Sequence, residues 1–195
     1  ARQQRALATA AAAGAETLVV SAPSLVTWLT GFAPEIETGP SVFQLSAIAV
    51  LAPGATPLLV VSEDEAADAA ESGCEVAAYA GFDLGPIDPV GKAKAALGGV
   101  VGASRVAIDA GSLPTALAAG LDWVDVGAEL AAARAVKDPD EIERIRAAIA
   151  VCDAGQAAAR THAEPGLSEL DLWALVRAAM EQAAGGRIPV LADLV

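Results

Sequence analysis

The order of apolar and polar positions divides the chain into short, readable pieces. Arg2 to Ala13 is an alanine-rich run of helical character that Gly14 stops, and Glu16 to Ser21 reads as a strand. Pro23 and Ser24 open a single helical turn through Trp28, which Gly31 ends. Phe32 to Pro40 holds Gly39, two prolines and two glutamates and reads as a loop. From Val42 to Leu51 the pattern alternates. Phe43, Leu45, Ala47 and Ala49 fall on one face and Gln44 and Ser46 on the other, which predicts a long strand. The turn 52–56 and the shorter run Pro57 to Val61 complete a hairpin, so part of the sheet is antiparallel. Ser62 to Glu65 has the spacing of a capping box, with an acidic trio at the positive end of a helix.

Beyond Gly73 the pattern alternates between strands and helices. Strands are expected over 74–79, 105–109 and 121–126, and helices over 87–97 and 112–119. The fold class that follows is α/β, a mixed β-sheet with helices on both faces. Gly98 to Gly102 follows a helix and precedes a strand, the reverse of the order a phosphate-binding turn needs. Near residue 133 the organisation changes. Asp138 caps, Pro139 takes the first helical position, and Glu141 stands three residues after the cap. Ile142, Ile145, Ile149 and Cys152 then predict one buried face of a helix that runs to about Ala163. Pro165-Gly166 breaks it, and Ser168 caps a second helix buried through Leu172, Leu175, Val176 and Ala179. Gly185-Gly186 ends that helix, and Ile188 to Val195 reads as a strand. The expected domains are therefore 1–132 and 133–195. Two helices and a strand do not close a core. The chain is thus expected to be the front part of a longer protein, or to pack its last third on something outside itself.

Composition narrows the function classes. The 195 residues are 54% apolar, and 12 basic against 25 acidic side chains leave a net charge of −13. Nucleic acid and anionic membrane surfaces both demand a basic face, so neither is an expected partner. Cys74 and Cys152 stand far apart with no CxxC spacing. Two free, buried thiols in a reducing, cytoplasmic setting are the expectation. With His162 as the one histidine, no zinc site of the usual Cys/His sets can be built. No stretch of about 18 strongly apolar residues exists to span a membrane. The alanine-rich start leads directly into a strand, which favours a surface helix over a signal peptide.

One segment is more specific. Arg134-Ala-Val-Lys137-Asp138-Pro139-Asp140-Glu141-Ile142-Glu143-Arg144-Ile145-Arg146 resembles the stretch that joins the two domains of the creatinase/prolidase/aminopeptidase P family. Trp28-Leu29-Thr30-Gly31-Phe32 is similar to that family's Y-L-T-G-F motif, and Pro165-Gly166-Leu167-Ser168-Glu169 to its P-G-x-[ST]-E. Gly185-Gly186 resembles the entry to the family's "pita-bread" catalytic domain. Trp28 replaces the usual Tyr, Leu25 stands where Asn is frequent, and 32–40 lacks the family's common arginine.

The resemblance implies a creatinase amino-terminal-domain-like, ribonuclease H-like fold, followed by the opening of an incomplete α+β pita-bread domain. The parent protein would be a hydrolase, an Xaa-Pro dipeptidase or aminopeptidase or a creatinase-like amide hydrolase. Two divalent metal ions (Mn, Co or Zn) would serve it, held by residues beyond this chain. No catalytic or metal-ligating residue is therefore assigned here. This portion is expected to act in homodimer formation and in access of a short peptide or small amide to the active site. Trp28, Gly31, Phe32 and Ile36 are the interface or active-site lid candidates, with Trp28 partly buried and the loop 32–40 at a subunit interface. The alternative is a stand-alone α/β dimerisation or interaction module without hydrolase activity.

Overall fold

A computed structural model describes residues 1–34, 45–81, 85–98, 101 and 104–188. The chain divides into two units, Ala1–Ala135 and Val136–Val195.

Six strands of the first unit form one sheet: β1 (Thr17–Val20), β2 (Ile48–Leu51), β3 (Leu58–Ser62), β4 (Glu75–Tyr79), β5 (Val106–Ile108) and β6 (Trp123–Asp125). Their order is β4-β3-β2-β1-β5-β6. β2 runs antiparallel to both β1 and β3, with Leu18 opposite Leu51 and Ile48 opposite Val60. The pairs β3–β4, β1–β5 and β5–β6 are parallel. The mixed sheet is the one the hairpin and the later alternation predict. The helices are α1 (Arg2–Ala12), α2 (Pro23–Thr30), α3 (Ala66–Glu71), α4 (Pro89–Gly98), α5 (Thr115–Ala118) and α6 (Gly127–Ala135).

Both faces of the sheet are covered, so β2, β3 and β5 are buried along their whole length. On one face Leu18, Val20, Leu51, Leu59 and Val61 meet Ala6 and Ala10 of α1, Leu25 and Trp28 of α2 and Leu130 of α6. On the other, Val19, Val50, Val60 and Ile108 meet Ala93 and Leu97 of α4 and Leu117 of α5. Alternate residues of β1 to β5 thus feed two separate cores.

Four details differ from the sequence reading. First, β2 begins at Ile48, and residues 45–47 are not strand. Leu45 packs with the second core while Ala47 and Ala49 belong to the first, so the expected common face breaks there. The Tyr79 hydroxyl accepts from the Leu45 N–H at 2.9 Å and donates to its carbonyl at 3.4 Å. Those are the backbone groups a longer ladder would need. Second, α2 makes two turns instead of one, because Leu25, Val26, Trp28 and Leu29 form a helical face against the sheet. Third, Ser62 is the fully buried last residue of β3 and gives no side-chain cap. A 3-10 turn over Glu63–Glu65 precedes α3 in place of the expected capping box. Fourth, α6 was not expected, and 132, the expected boundary, lies inside it. Gly127 at its start hides a good helix-former run, Ala-Glu-Leu-Ala-Ala-Ala-Arg-Ala.

The described residues of the second unit form α7 (Pro139–His162) and α8 (Glu169–Ala184). The capping box at Asp138 is present, and the Glu141 carboxylate accepts from the Asp138 N–H at 2.9 Å. Ser168 Oγ accepts from the Asp171 N–H at 3.2 Å, and Gly185 closes α8 in the left-handed conformation. The helices meet at Gly155, where a Cβ would come within 2.7 Å of Met180 Cγ. Beyond its first turn, the better covered positions of α7 are accordingly Val151, Ala154, Gly155, Ala158 and Ala159.

That contact leaves the expected buried face of α7 bare. Ile142, Ile145 and Ile149 are 39%, 44% and 53% exposed. Leu175 of α8 is exposed as well, whereas Leu172, Val176 and Ala179 are half-buried. Cys152 is exposed and Cys74 half-buried, both as free thiols, so neither is the buried cysteine expected. The expected strand 188–195 lies outside the described residues from 189 onward.

Candidate functional site

The motif Trp28 to Phe32 spans the end of α2 and the residues that leave it. Pro23 at the first position starts the helix, and Gly31 ends it with φ +80°, a conformation open to glycine at no steric cost. The Gly31 N–H donates to the Thr27 carbonyl at 2.9 Å. The Thr30 hydroxyl donates to the Val26 carbonyl at 2.7 Å and accepts from the Phe32 N–H at 3.2 Å. One hydroxyl therefore satisfies a helix carbonyl and the first amide beyond the turn.

Trp28 is 5% exposed and Phe32 6%, both within the core between α1, α2 and the sheet. The partly buried position expected for Trp28 is thus corrected. Its place on the apolar face of a two-turn helix points the ring inward. The Arg5 guanidinium of α1 lies 5.5 Å from the ring centroid, within cation–π range. The indole N–H is buried and makes no hydrogen bond among the described residues. Gln3 of α1 donates to the Leu29 carbonyl at 2.8 Å, and Arg134 of α6 donates to Ser24 Oγ at 3.1 Å. Three helices are therefore tied together around this motif. Of the four lid or interface candidates, Trp28, Gly31 and Phe32 stand together here, while Ile36 lies outside the described residues.

A second polar group was not singled out in the sequence. β1, β5 and β6 are mutually parallel, and their carboxyl ends carry Ser21, Asp109 and Asp125. Such ends commonly form ligand crevices in α/β sheets. Here the polar atoms are occupied by turns. Asp125 Oδ1 accepts from the N–H groups of Ala110 and Gly127 at 3.1 and 3.0 Å. Ser112 Oγ donates to Asp109 Oδ2 at 2.8 Å, and the buried Ser21 hydroxyl donates to the Ser112 carbonyl at 2.9 Å. Gly127 is needed for close approach, since a Cβ there would lie 2.7 Å from Asp109 Oδ1. The signal in the sequence is Asp followed two residues later by Gly, at 109–111 and 125–127.

An open groove of about 550 Å³ runs between α1 and the β6–α6 junction, over Ala8, Ala12, Val124 and Val126, with Asp125 and Glu129 at its side. It carries no histidine, cysteine or cation. Among the described residues no group of three or more His, Cys, Asp or Glu could hold a metal ion. His162 stands in the last turn of α7, where a basic side chain complements the helix dipole. Among the described residues no helix is long and apolar enough to cross a membrane.

A mixed six-stranded sheet with helices on both faces and a W-L-T-G-F turn closing α2 defines the class, an α/β domain. The chain belongs to the creatinase/prolidase N-terminal domain family, whose model matches residues 2–136. No curated protein sequence matches the chain. Among solved structures, a prolidase from Pyrococcus horikoshii OT3 is similar at 19% identity and TM-score 0.70, over 93% of this chain and 48% of that one. An X-Pro aminopeptidase from Thermotoga maritima MSB8 is similar at 16% identity and TM-score 0.65, over 93% and 49%. A single Creatine_N superfamily domain of a dipeptidase from Streptococcus thermophilus matches at 17% identity and TM-score 0.51, over 68% of this chain and 97% of its own. At these identities the likeness is one of fold. The chain spans about half the length of the prolidase and the aminopeptidase.

Proposed function

We propose that this chain is the non-catalytic amino-terminal portion of a creatinase/prolidase-like hydrolase, acting on an Xaa-Pro peptide or a small amide. The observation that carries the reading is the family match over residues 2–136, joined to a fold likeness covering 93% of the chain and half of two proline-directed peptidases. The role of this portion is oligomerisation, as a homodimer, and control of access to the active site. Trp28 and Phe32 serve it from the core, by holding the start of the connection that carries Ile36. The parent hydrolase works with divalent metal in the cytoplasm. The described residues do not form a metal site, so no chemical step is assigned to them. In such a parent, the bare isoleucines of α7 are covered by further parts of the catalytic domain.

The test is metal-dependent hydrolysis of Xaa-Pro dipeptides by the full gene product, loaded with Mn²⁺ or Co²⁺, with its mass in solution measured alongside. Turnover by a dimer of a chain about twice this length is expected. A monomeric full product with no turnover of any Xaa-Pro or small-amide substrate would overturn the reading.

A further inference from the structure

Tyr79 is the chain's one tyrosine. It ends β4, the outermost strand on its side of the described sheet, and is 6% exposed. β3 lies between β4 and β2. Tyr79 is in register with Ser62 of β3, yet its hydroxyl bonds to Leu45, three residues ahead of β2. The side chain therefore reaches past its neighbouring strand. It engages both backbone groups of Leu45, accepting from the N–H at 2.9 Å and donating to the carbonyl at 3.4 Å. A hydroxyl supplies one donor and two acceptor lone pairs, so it can answer an amide N–H and a carbonyl together. A phenylalanine there would keep the packing and lose both bonds.

The other end of the same connection is held in a like manner. Phe32 is buried, and its N–H donates to the Thr30 hydroxyl. The chain thus leaves α2 at one side-chain hydroxyl and returns toward β2 at another. The hydroxyl at Tyr79 comes from a residue remote in sequence and belongs to the opposite core from Trp28 and Phe32.

We propose that Tyr79 is a positioning residue that latches Leu45 and so fixes where the α2–β2 connection re-enters the sheet. The latch ends β2 at Ile48 and keeps the returning chain from being drawn into the ladder. Its functional consequence rests on the reading given above, in which this amino-terminal portion controls access in the parent hydrolase.

Tyr79→Phe tests it in two ways. In this 195-residue chain, leucine-selective ¹⁵N labelling follows the amides of Leu45, Leu18 and Leu59 in one hydrogen-exchange experiment. The expected result is exchange at Leu45 faster by about tenfold or more, with Leu18 and Leu59 unchanged. Unchanged exchange at Leu45 would overturn the latch. An equal loss at all three would also overturn it, since Tyr79 would then support the whole sheet. In the full gene product, the same variant is expected to raise KM for an Xaa-Pro dipeptide by about threefold or more with kcat nearly constant. A released Leu45 with KM and kcat both unchanged would remove the positioning role. A wild-type product without hydrolase activity would instead fault the functional reading, and the exchange result would still decide the latch.

Discussion

Trp28 carries the largest side chain in the core between α1, α2 and the sheet, and no neighbour can fill its volume. Trp28→Ala is expected to cost about 3–5 kcal/mol in urea unfolding of the chain. A loss below about 1 kcal/mol would show that the ring is not part of the core. Gly31 makes a different contribution, through backbone and not packing. Its φ of +80° leaves open space around a notional Cβ, so Gly31→Ala meets backbone strain alone. The expected cost is about 1–2 kcal/mol, and Gly31→Asn should cost less, since Asn tolerates this conformation better. Gly31, Asp138 and Ser168 were legible in the sequence because a cap is read from its own few residues. The latch from Tyr79 to Leu45 was not, since the partners stand 34 positions apart and nothing local marks them.

Among the elements, α7 shows most clearly what a local pattern can and cannot fix. Its start depends on the reciprocal bonds of Asp138 and Glu141. Asp138→Ala should weaken the helix by about 1 kcal/mol, seen as lost helicity and earlier melting of the second unit. The isoleucine stripe sits on the same helix, but α8 packs at Gly155 and leaves it bare. In this chain, Ile145→Lys should therefore change stability by no more than about 0.5 kcal/mol. In the full gene product the expected loss exceeds about 2 kcal/mol, because a charge would enter the interface assigned to the stripe. Equal and small effects in both proteins would show that nothing covers it. Periodicity gave the helix and its apolar side. It carries no information on which partner takes that side, because burial is a property of two surfaces.

For the whole molecule, the way polar side chains are grouped matters as much as the fold. The described residues group no three metal-ligating side chains, and the Asp125 carboxylate is engaged by the Ala110 and Gly127 N–H groups and that of Asp109 by the Ser112 hydroxyl. The 195-residue chain is expected to show no hydrolysis of Xaa-Pro dipeptides with Mn²⁺, Co²⁺ or Zn²⁺. Metal-dependent turnover by the purified chain, free of contaminating peptidase, would refute this.

The sequence by itself determined the mixed α/β class, the hairpin, the caps of α7 and α8, and the family, through motifs whose residues act within one turn of each other. It did not determine where β2 begins, how deeply Trp28 is buried, or that Asp109 and Asp125 meet beside Gly127. Those features depend on groups brought together from separate elements. Tyr79 reaches across β3, α2 lays its apolar face on the sheet, and two parallel strands end side by side. Local propensity acts between near neighbours along the chain. The registry of strands and the choice of buried face are settled only when the elements pack, and there the tertiary structure decided.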